Sequence, residues 1–310
     1  MQGLPNRFDP KIHEIYKIAQ ERNFGSACPF EGSDANVRPE CLLGLKDKNG
    51  PVDVVLVGDS HGYHFAAAID GVLKEHDLSG KLITRAGCIA LPGITIDPSD
   101  RIARKRRCDE FLDSVTEFFM TDTEAKLIII SLRWETYSNS KFKHSANANK
   151  INPVKINTSE IVLERALRRN IEMLSAKGKR VLLIGQVPPH QTSPLTCAAR
   201  SLYAQNDVNQ CSVKMHEINE RIGFSNTLLR KVAQEYEMID SFIPADTLCR
   251  DGSCPVFLDG VFLYRDGDHI NDAGSKEFAK YINRLPVFFE LSRMELSVAS
   301  EGAKEPRTHK

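Results

Sequence analysis

Five short apolar runs, each followed by a longer helical pattern, limit how this chain can fold. The runs are Val52–Val57, Lys81–Thr84, Lys126–Ser131, Arg180–Ile184 and Glu237–Asp240. Helical patterns at Tyr63–His76, Asp100–Thr121, Thr158–Lys177 and Val213–Tyr236 lie between them. Strands that alternate with helices build a parallel sheet covered by helices on both faces. The expected fold class is therefore α/β, a three-layer α/β/α sandwich around a five-stranded parallel sheet. Such sheets place ligands outside the carboxyl ends of the strands. Ser60, Gly87, Arg133, Trp134 and Pro188 all follow strand ends of this kind. A chain of 310 residues can bury one large core. Residues 1–51 read as an N-terminal extension with a short helix at Pro10–Arg22, residues 52–290 as the domain, and residues 291–310 as a tail that is polar after Ser300.

The first run continues into VDVVLVGDSHGYH, Val52 to His64. The β-branched burst stops at Gly58 and a helical pattern begins within a few residues, so Ser60 sits on a sharp strand-to-helix turn. Free amides at a helix start favour a developing negative charge. A serine there is placed to act as a nucleophile beside backbone donors for an oxyanion. The plainer reading is a turn with an N-cap. Asp59 is expected to hold this turn through backbone hydrogen bonds. His64, one turn on, either lines a pocket or, like His61, is a partly exposed helix residue.

Near the other end the chain reads GVFLYRDGDHINDAGSKEF, Gly260 to Phe278. Asp266 lies three residues before His269, and a helix follows from near Asp272 towards Ile282. A serine nucleophile needs a base, usually histidine, and that histidine needs an acceptor on its other nitrogen. Asp266 and His269 fit those roles. Asp268 adjoins His269, and a neighbouring side chain folds back onto its own ring poorly, so Asp266 is the expected partner. An exposed turn is the alternative for the pair.

Lys+Arg and Asp+Glu are 41 each, so no global field points to nucleic acid. The apolar runs are too short to span a bilayer, and the N-terminus MQGLPNRFDPK lacks the apolar region of a signal peptide. The basic stretch Arg101–Arg107 either binds an anionic glycan or lipid surface or is a solvated helix face. Lys141–Lys155 lacks periodicity and reads as a loop near the third strand's ligand end. The histidines show no metal-like spacing, and no phosphate-binding glycine loop is present, so neither metal nor cofactor is expected. Eight cysteines (Cys28, Cys41, Cys88, Cys108, Cys197, Cys211, Cys249 and Cys254) form no CxxC pair. They admit roughly a hundred connectivities, or eight buried thiols.

Together, GDSH at Gly58–His61 and DxxH at Asp266–His269 resemble the SGNH (GDSL-like) hydrolase superfamily. The chain is more specifically similar to the SGNH domain attached to membrane acyltransferase-3 proteins, which O-acetylate bacterial surface polysaccharides. CLLG at Cys41–Gly44, AGC at Ala86–Cys88, SLRWETY at Ser131–Tyr137 and LYRDGDHINDAGS at Leu263–Ser275 carry that likeness across about Cys28 to Arg284. The resemblance implies a flavodoxin-like SGNH fold and a catalytic set of Ser60, Asp266 and His269. It also implies an oxyanion hole from Ser60 and Gly87, and Arg133, Trp134, Tyr137 and His64 as candidates for substrate contact. Trp134, the only tryptophan, either stacks on a sugar or fills the core. The usual asparagine block after the third strand is absent; Asn139 or a backbone N–H is left to replace its donor. The cysteine pattern implies pairing in chain order, 28–41, 88–108, 197–211 and 249–254. Disulfides fit a periplasmic or extracellular setting. The implied activity is serine acyl transfer or ester hydrolysis on a carbohydrate. The acetyl donor would come from a membrane acyltransferase-3 partner or fused domain. A chain of this kind without a signal fits a fragment lacking an upstream membrane part, or a separately encoded domain.

Overall fold

The computed structural model describes residues 9–24, 27–28, 41–45, 52–94, 102–122, 124–138 and 159–293. Two short strands come first, β1 (Ala27–Cys28) and β2 (Leu42–Gly44). Next come β3 (Val54–Gly58), β4 (Ser79–Arg85), β5 (Leu127–Ser131) and β6 (Arg180–Ile184), then β7 (Val213–Lys214) and β8 (Ile239–Phe242). The sheet runs β4-β3-β5-β6-β8, and every adjacent pair in that series is parallel. Val54 to Val57 and Leu127 to Ile130 are buried, as strands covered on both faces require. The expected α/β sandwich is the observed one.

The five parallel strands are those expected, and among the described residues two further antiparallel strands bring the sheet to seven. β1 and β2 both pair antiparallel with β4, through Ala27↔Arg85 and Cys28↔Thr84 and through Leu42↔Lys81 to Gly44↔Ser79. Segments of two and three residues are too short to show a period, which is why sequence pattern misses them. They cover the β4 edge, and the Cys28–Cys41 bond joins them. All eight cysteines pair in chain order, with Cα–Cα separations of 5.8, 5.1, 5.8 and 4.1 Å.

Helices α1 (Pro10–Ile18), α2 (Ser60–His64), α3 (Ala66–Glu75), α4 (Ile102–Thr121), α5 (Trp134–Ser138) and α6 (Ser159–Ala176) occupy the first part of the chain. They are followed by α7 (Pro194–Tyr203), α8 (Met215–Glu235), α9 (Pro244–Leu248) and α10 (Asp272–Ile282). The single helix expected over Tyr63–His76 starts earlier, at Ser60, and breaks at Phe65, whose amide bonds back to the Gly62 carbonyl. α1 ends before Arg22; Asn23 beyond it donates from backbone and side chain to Asp272 at the start of α10, at 2.9 and 2.7 Å. α10 packs along α3, and its buried Ser275 hydroxyl accepts the Ala68 amide at 3.0 Å. That bond satisfies one of the orphan donors at the start of α3.

The register sets Thr84, Gly58, Ser131, Ile184 and Phe242 side by side at the carboxyl end of the sheet. The loops that leave this row carry the candidate site. Asn139, the Lys141–Lys155 segment and the tail after Ser300 lie outside the described residues. In the basic stretch, Arg106 and Arg107 are exposed and Arg106 pairs with Glu110 one turn on, as a solvated helix face does.

Candidate active site

β3 ends at Gly58, Asp59 caps α2, and Ser60 is the first helical residue. The turn is tight because β5 lies against it: a Cβ on Gly58 would sit 2.0 Å from the Ser131 carbonyl oxygen. Asp59 is buried and its carboxylate takes three donors. These are the His61 amide at 2.8 Å, the Arg133 amide at 3.0 Å and the Tyr137 hydroxyl at 2.8 Å. One side chain thus fixes the serine turn and binds it to the segment after β5.

The second half comes from the loop before α10. Asn271 caps that helix through the Gly274 amide, and its side chain also donates to the Phe262 and Tyr264 carbonyls. The Arg265 amide bonds to the His269 carbonyl, which closes the loop. Gly267 packs against the loop after β6, where its carbonyl takes the His190 amide at 2.7 Å. The fold then brings His269 Nε2 to 2.8 Å from Ser60 Oγ. His269 Nδ1 lies 2.9 and 3.0 Å from the two oxygens of Asp266. Asp266 Oδ1 also accepts the amides of Asp268 and His269, at 3.1 and 2.9 Å.

Asp268 does not merely flank the ring. Its Oδ1 lies 3.0 Å from His269 Nδ1, and its Oδ2 lies 2.5 Å from the Arg133 guanidinium. Loop closure turns this neighbouring side chain inward, contrary to the expectation from adjacency. Burial disfavours the charged imidazole, but the Asp266 and Asp268 carboxylates outweigh it and raise the His269 pKa to about 9. Burial works against both carboxylates too, yet their contacts with His269 hold them below the usual range.

His61 and His64 are both buried, which corrects the reading of either as a partly exposed helix residue. Their rings form a cluster with His269: centroids lie 4.7 Å apart for His61–His64 and His61–His269, and 5.8 Å for His64–His269. Burial lowers the pKa of His61 and lowers that of His64 still further, so both are neutral at pH 7. His61 Nε2 lies 3.9 Å from Asp268. Trp134 is fully buried and its indole N–H donates to the Ile184 carbonyl at 2.8 Å, so it fills the core and offers no face to a sugar. Tyr137 is buried too, its hydroxyl spent on Asp59. Both corrections have one cause: α5 folds inward over the sheet end, and a bidentate Glu135–Arg221 pair at 2.7 and 2.9 Å holds it to α8. Arg133 remains half-exposed at the rim. Gly87 sits in the exposed turn after β4, at φ 74°, a conformation glycine adopts readily.

The backbone substitute for the missing asparagine donor is closed over residues 133–136. The Arg133 amide goes to Asp59, Trp134 to Leu132, Glu135 to Gln186 and Thr136 to Arg133. Among the described residues, His61, Asp268 and His269 are the group whose ligand atoms lie close enough together, within 4.8 Å, to hold a metal. Both His269 nitrogens are engaged, one by Ser60 and one by carboxylate, which describes a proton relay better than a metal centre.

A serine on a strand-to-helix turn, a C-terminal histidine on its hydroxyl and a 2-1-3-4-5 parallel sheet define an SGNH-type α/β fold. The family model described as "SGNH domain (fused to AT3 domains)" matches residues 27–284, and the chain belongs to this family. Acyl transfer or hydrolysis is the role that membership supports. Among solved structures, the chain is similar to the periplasmic domain of a lipopolysaccharide acetyltransferase from Salmonella ser. Paratyphi A. That pair shares 16% identity over 76% of this chain and 84% of the other, with a TM-score of 0.53. An SGNH hydrolase from Slackia heliotrinireducens matches at 10% identity over 76% and 98% of the two chains, with a TM-score of 0.38. A salicylyl-acyltransferase from a tetracycline biosynthetic pathway matches at 12% over 84% and 58%, also at 0.38. At these identities the first likeness speaks to fold alone. No curated protein sequence matches the chain. No helix among the described residues is long and apolar enough to cross a membrane.

Proposed function

We propose that the chain is a serine O-acyltransferase domain that carries a short acyl group, acetyl, on Ser60 and passes it to a hydroxyl of a surface polysaccharide. The hydrogen-bonded series Ser60–His269–Asp266 carries this reading. In the first half-reaction Ser60 Oγ attacks the acyl carbonyl while His269 Nε2 takes its proton, and Asp266 stabilises the imidazolium. We assign the amides of Ser60 and Gly87 as donors to the oxyanion. His269 returns the proton to the leaving group and leaves an acyl-serine. In the second half it deprotonates the carbohydrate hydroxyl, which attacks the ester and restores Ser60. Residues 52–290 form the catalytic unit, with 1–51 as an extension and 291–310 as a tail. The family's fusion to AT3 domains supports a membrane acyltransferase as acetyl donor, fused or separate. Four disulfides support a periplasmic setting. The steps need no metal or cofactor, and the balanced charge gives no reason to invoke nucleic acid.

A free-standing carbohydrate esterase would share the same acyl-enzyme, with water as acceptor. A catalytically weak glycan-binding module would draw on the missing asparagine block, but the buried Trp134 removes its stacking platform. Turnover of p-nitrophenyl acetate, with and without an oligosaccharide acceptor, separates these readings. We expect Ser60→Ala to lose about three orders of magnitude or more with unchanged circular dichroism. Acetylated oligosaccharide marks the transferase and acetate alone the esterase. Wild-type turnover in Ser60→Ala would refute the nucleophile.

A further inference from the structure

We propose that Asp268 is a second positioning residue for His269, set by Arg133, so that the proton on Nδ1 is shared between two carboxylates instead of one. This rests on the Ser60–His269 reading above and deepens it.

The observation is the convergence at one nitrogen. Asp266 Oδ1 and Asp268 Oδ1 lie 2.9 and 3.0 Å from His269 Nδ1. Two carboxylates so close repel each other unless cations offset them. Each has its own guanidinium: Arg133 at 2.5 Å from Asp268, Arg265 at 3.4 Å from Asp266. The two carboxylates differ in exposure. The Asp268 side chain is 13% exposed and that of Asp266 46%. The less hydrated carboxylate is the less screened, so it interacts more strongly with a charge that appears on the ring.

Arg133 has a place in this scheme that its position alone does not explain. It follows β5, where the usual asparagine block is missing from the sequence, and its amide is tied to Asp59. Its side chain instead reaches across to the loop before α10. Arg133 therefore links the serine turn, through its amide and Asp59, to the histidine loop, through its guanidinium and Asp268. The groups facing His269 are Ser60, His61 and His64 from α2, Arg133 from the segment after β5, and Arg265, Asp266 and Asp268 from its own loop. The two neighbouring histidines are neutral, so the carboxylates and their arginines set the charge around the ring.

The test is single-turnover acylation with p-nitrophenyl acetate across pH 5–10 for Asp266→Asn, Asp268→Asn and the double variant. If the load is shared, each single change lowers the plateau rate by about ten- to a hundredfold. The double variant approaches the roughly ten-thousandfold loss that follows removal of a lone orienting carboxylate. Asp268→Asn also shifts the kinetic pKa of His269 downward, which loss of a merely structural contact would not do. Arg133→Gln, which leaves both carboxylates in place, moves the same pKa and gives a second route should Asp268→Asn fold poorly. A wild-type rate and pH profile in Asp268→Asn would overturn the proposal, as would an Asp266→Asn variant as slow as the double. Full activity in Ser60→Ala would instead overturn the underlying site, a separate and recognisable result.

Discussion

Asp59 shows how much one residue beside a nucleophile can organise. Its carboxylate lies at the start of α2 and gathers an amide from the serine turn, an amide from beyond β5 and the Tyr137 hydroxyl. The motif position and its backbone bond within the turn were readable; the other two partners were not, because they arrive from a distant segment. Tyr137→Phe removes the hydroxyl donor and keeps the ring in its buried site. We expect a loss of about 1–2 kcal/mol in urea unfolding, since Asp59 Oδ2 keeps the Arg133 amide but loses a buried hydrogen bond. Acylation should change far less than in Ser60→Ala, because Ser60 and His269 stay in register. A stability equal to wild type would mean that the hydroxyl contributes nothing to the turn.

At the scale of elements, the edge of the sheet depends on the segment that precedes it. β1 and β2 contribute two and three residues, too few to pair stably on their own. The Cys28–Cys41 bond and the antiparallel pairing with β4 hold them there. Asn23 adds a further tie, to Asp272 on α10. Replacing Cys28 and Cys41 by serine should cost about 2–4 kcal/mol through the freed loop. The loss should be local: hydrogen exchange should rise first at β4 residues Ser79–Arg85 and leave β5 and β6 protected. Uniform loss of protection would show that the bond supports the whole domain. α2 and α3 illustrate a different limit. A continuous helical pattern cannot reveal that Phe65 interrupts it, since the break is set by packing of Phe65 against Phe278 in α10.

For the whole molecule, buried histidines govern how stability follows pH. Burial lowers His61 and His64, and burial with Arg221 nearby takes His190 to about 4. Each is neutral when folded and binds a proton more readily when unfolded, so the stability it contributes is present above pH 6.5 and lost as pH falls. His269 runs the other way: raised to about 9, it contributes stability below pH 6.5 that is lost as pH rises through 9. Three groups outnumber one across this range, and the lowered Asp266 and Asp268 lose their contribution only below pH 3.8, so they leave the balance between pH 7 and pH 5 unchanged. Melting temperature should therefore fall from pH 7 to pH 5. His190→Phe should remove on the order of 1–2 kcal/mol of that loss. An unchanged pH slope in His190→Phe would refute its part in the effect.

What the amino-acid order determined by itself is whatever short-range periodicity and turn chemistry encode. Buried parallel strands carry unbroken apolar runs, so β3, β5 and β6 could be placed within two residues. Glycine, aspartate and serine after β3 marked the turn, and the three-residue step from Asp266 to His269 marked the other half of the site. The cysteine order, read with the family likeness, anticipated the four bonds. What only the tertiary structure decided was which long-range contacts form. It placed β1 and β2 on the β4 edge, buried Trp134, Tyr137, His61 and His64, and brought Arg133 to Asp268. Those outcomes depend on how segments far apart in the chain pack at the carboxyl end of the sheet. A local pattern records whether a side chain can be buried in an element, but not which neighbour will bury it or which charge will meet it there.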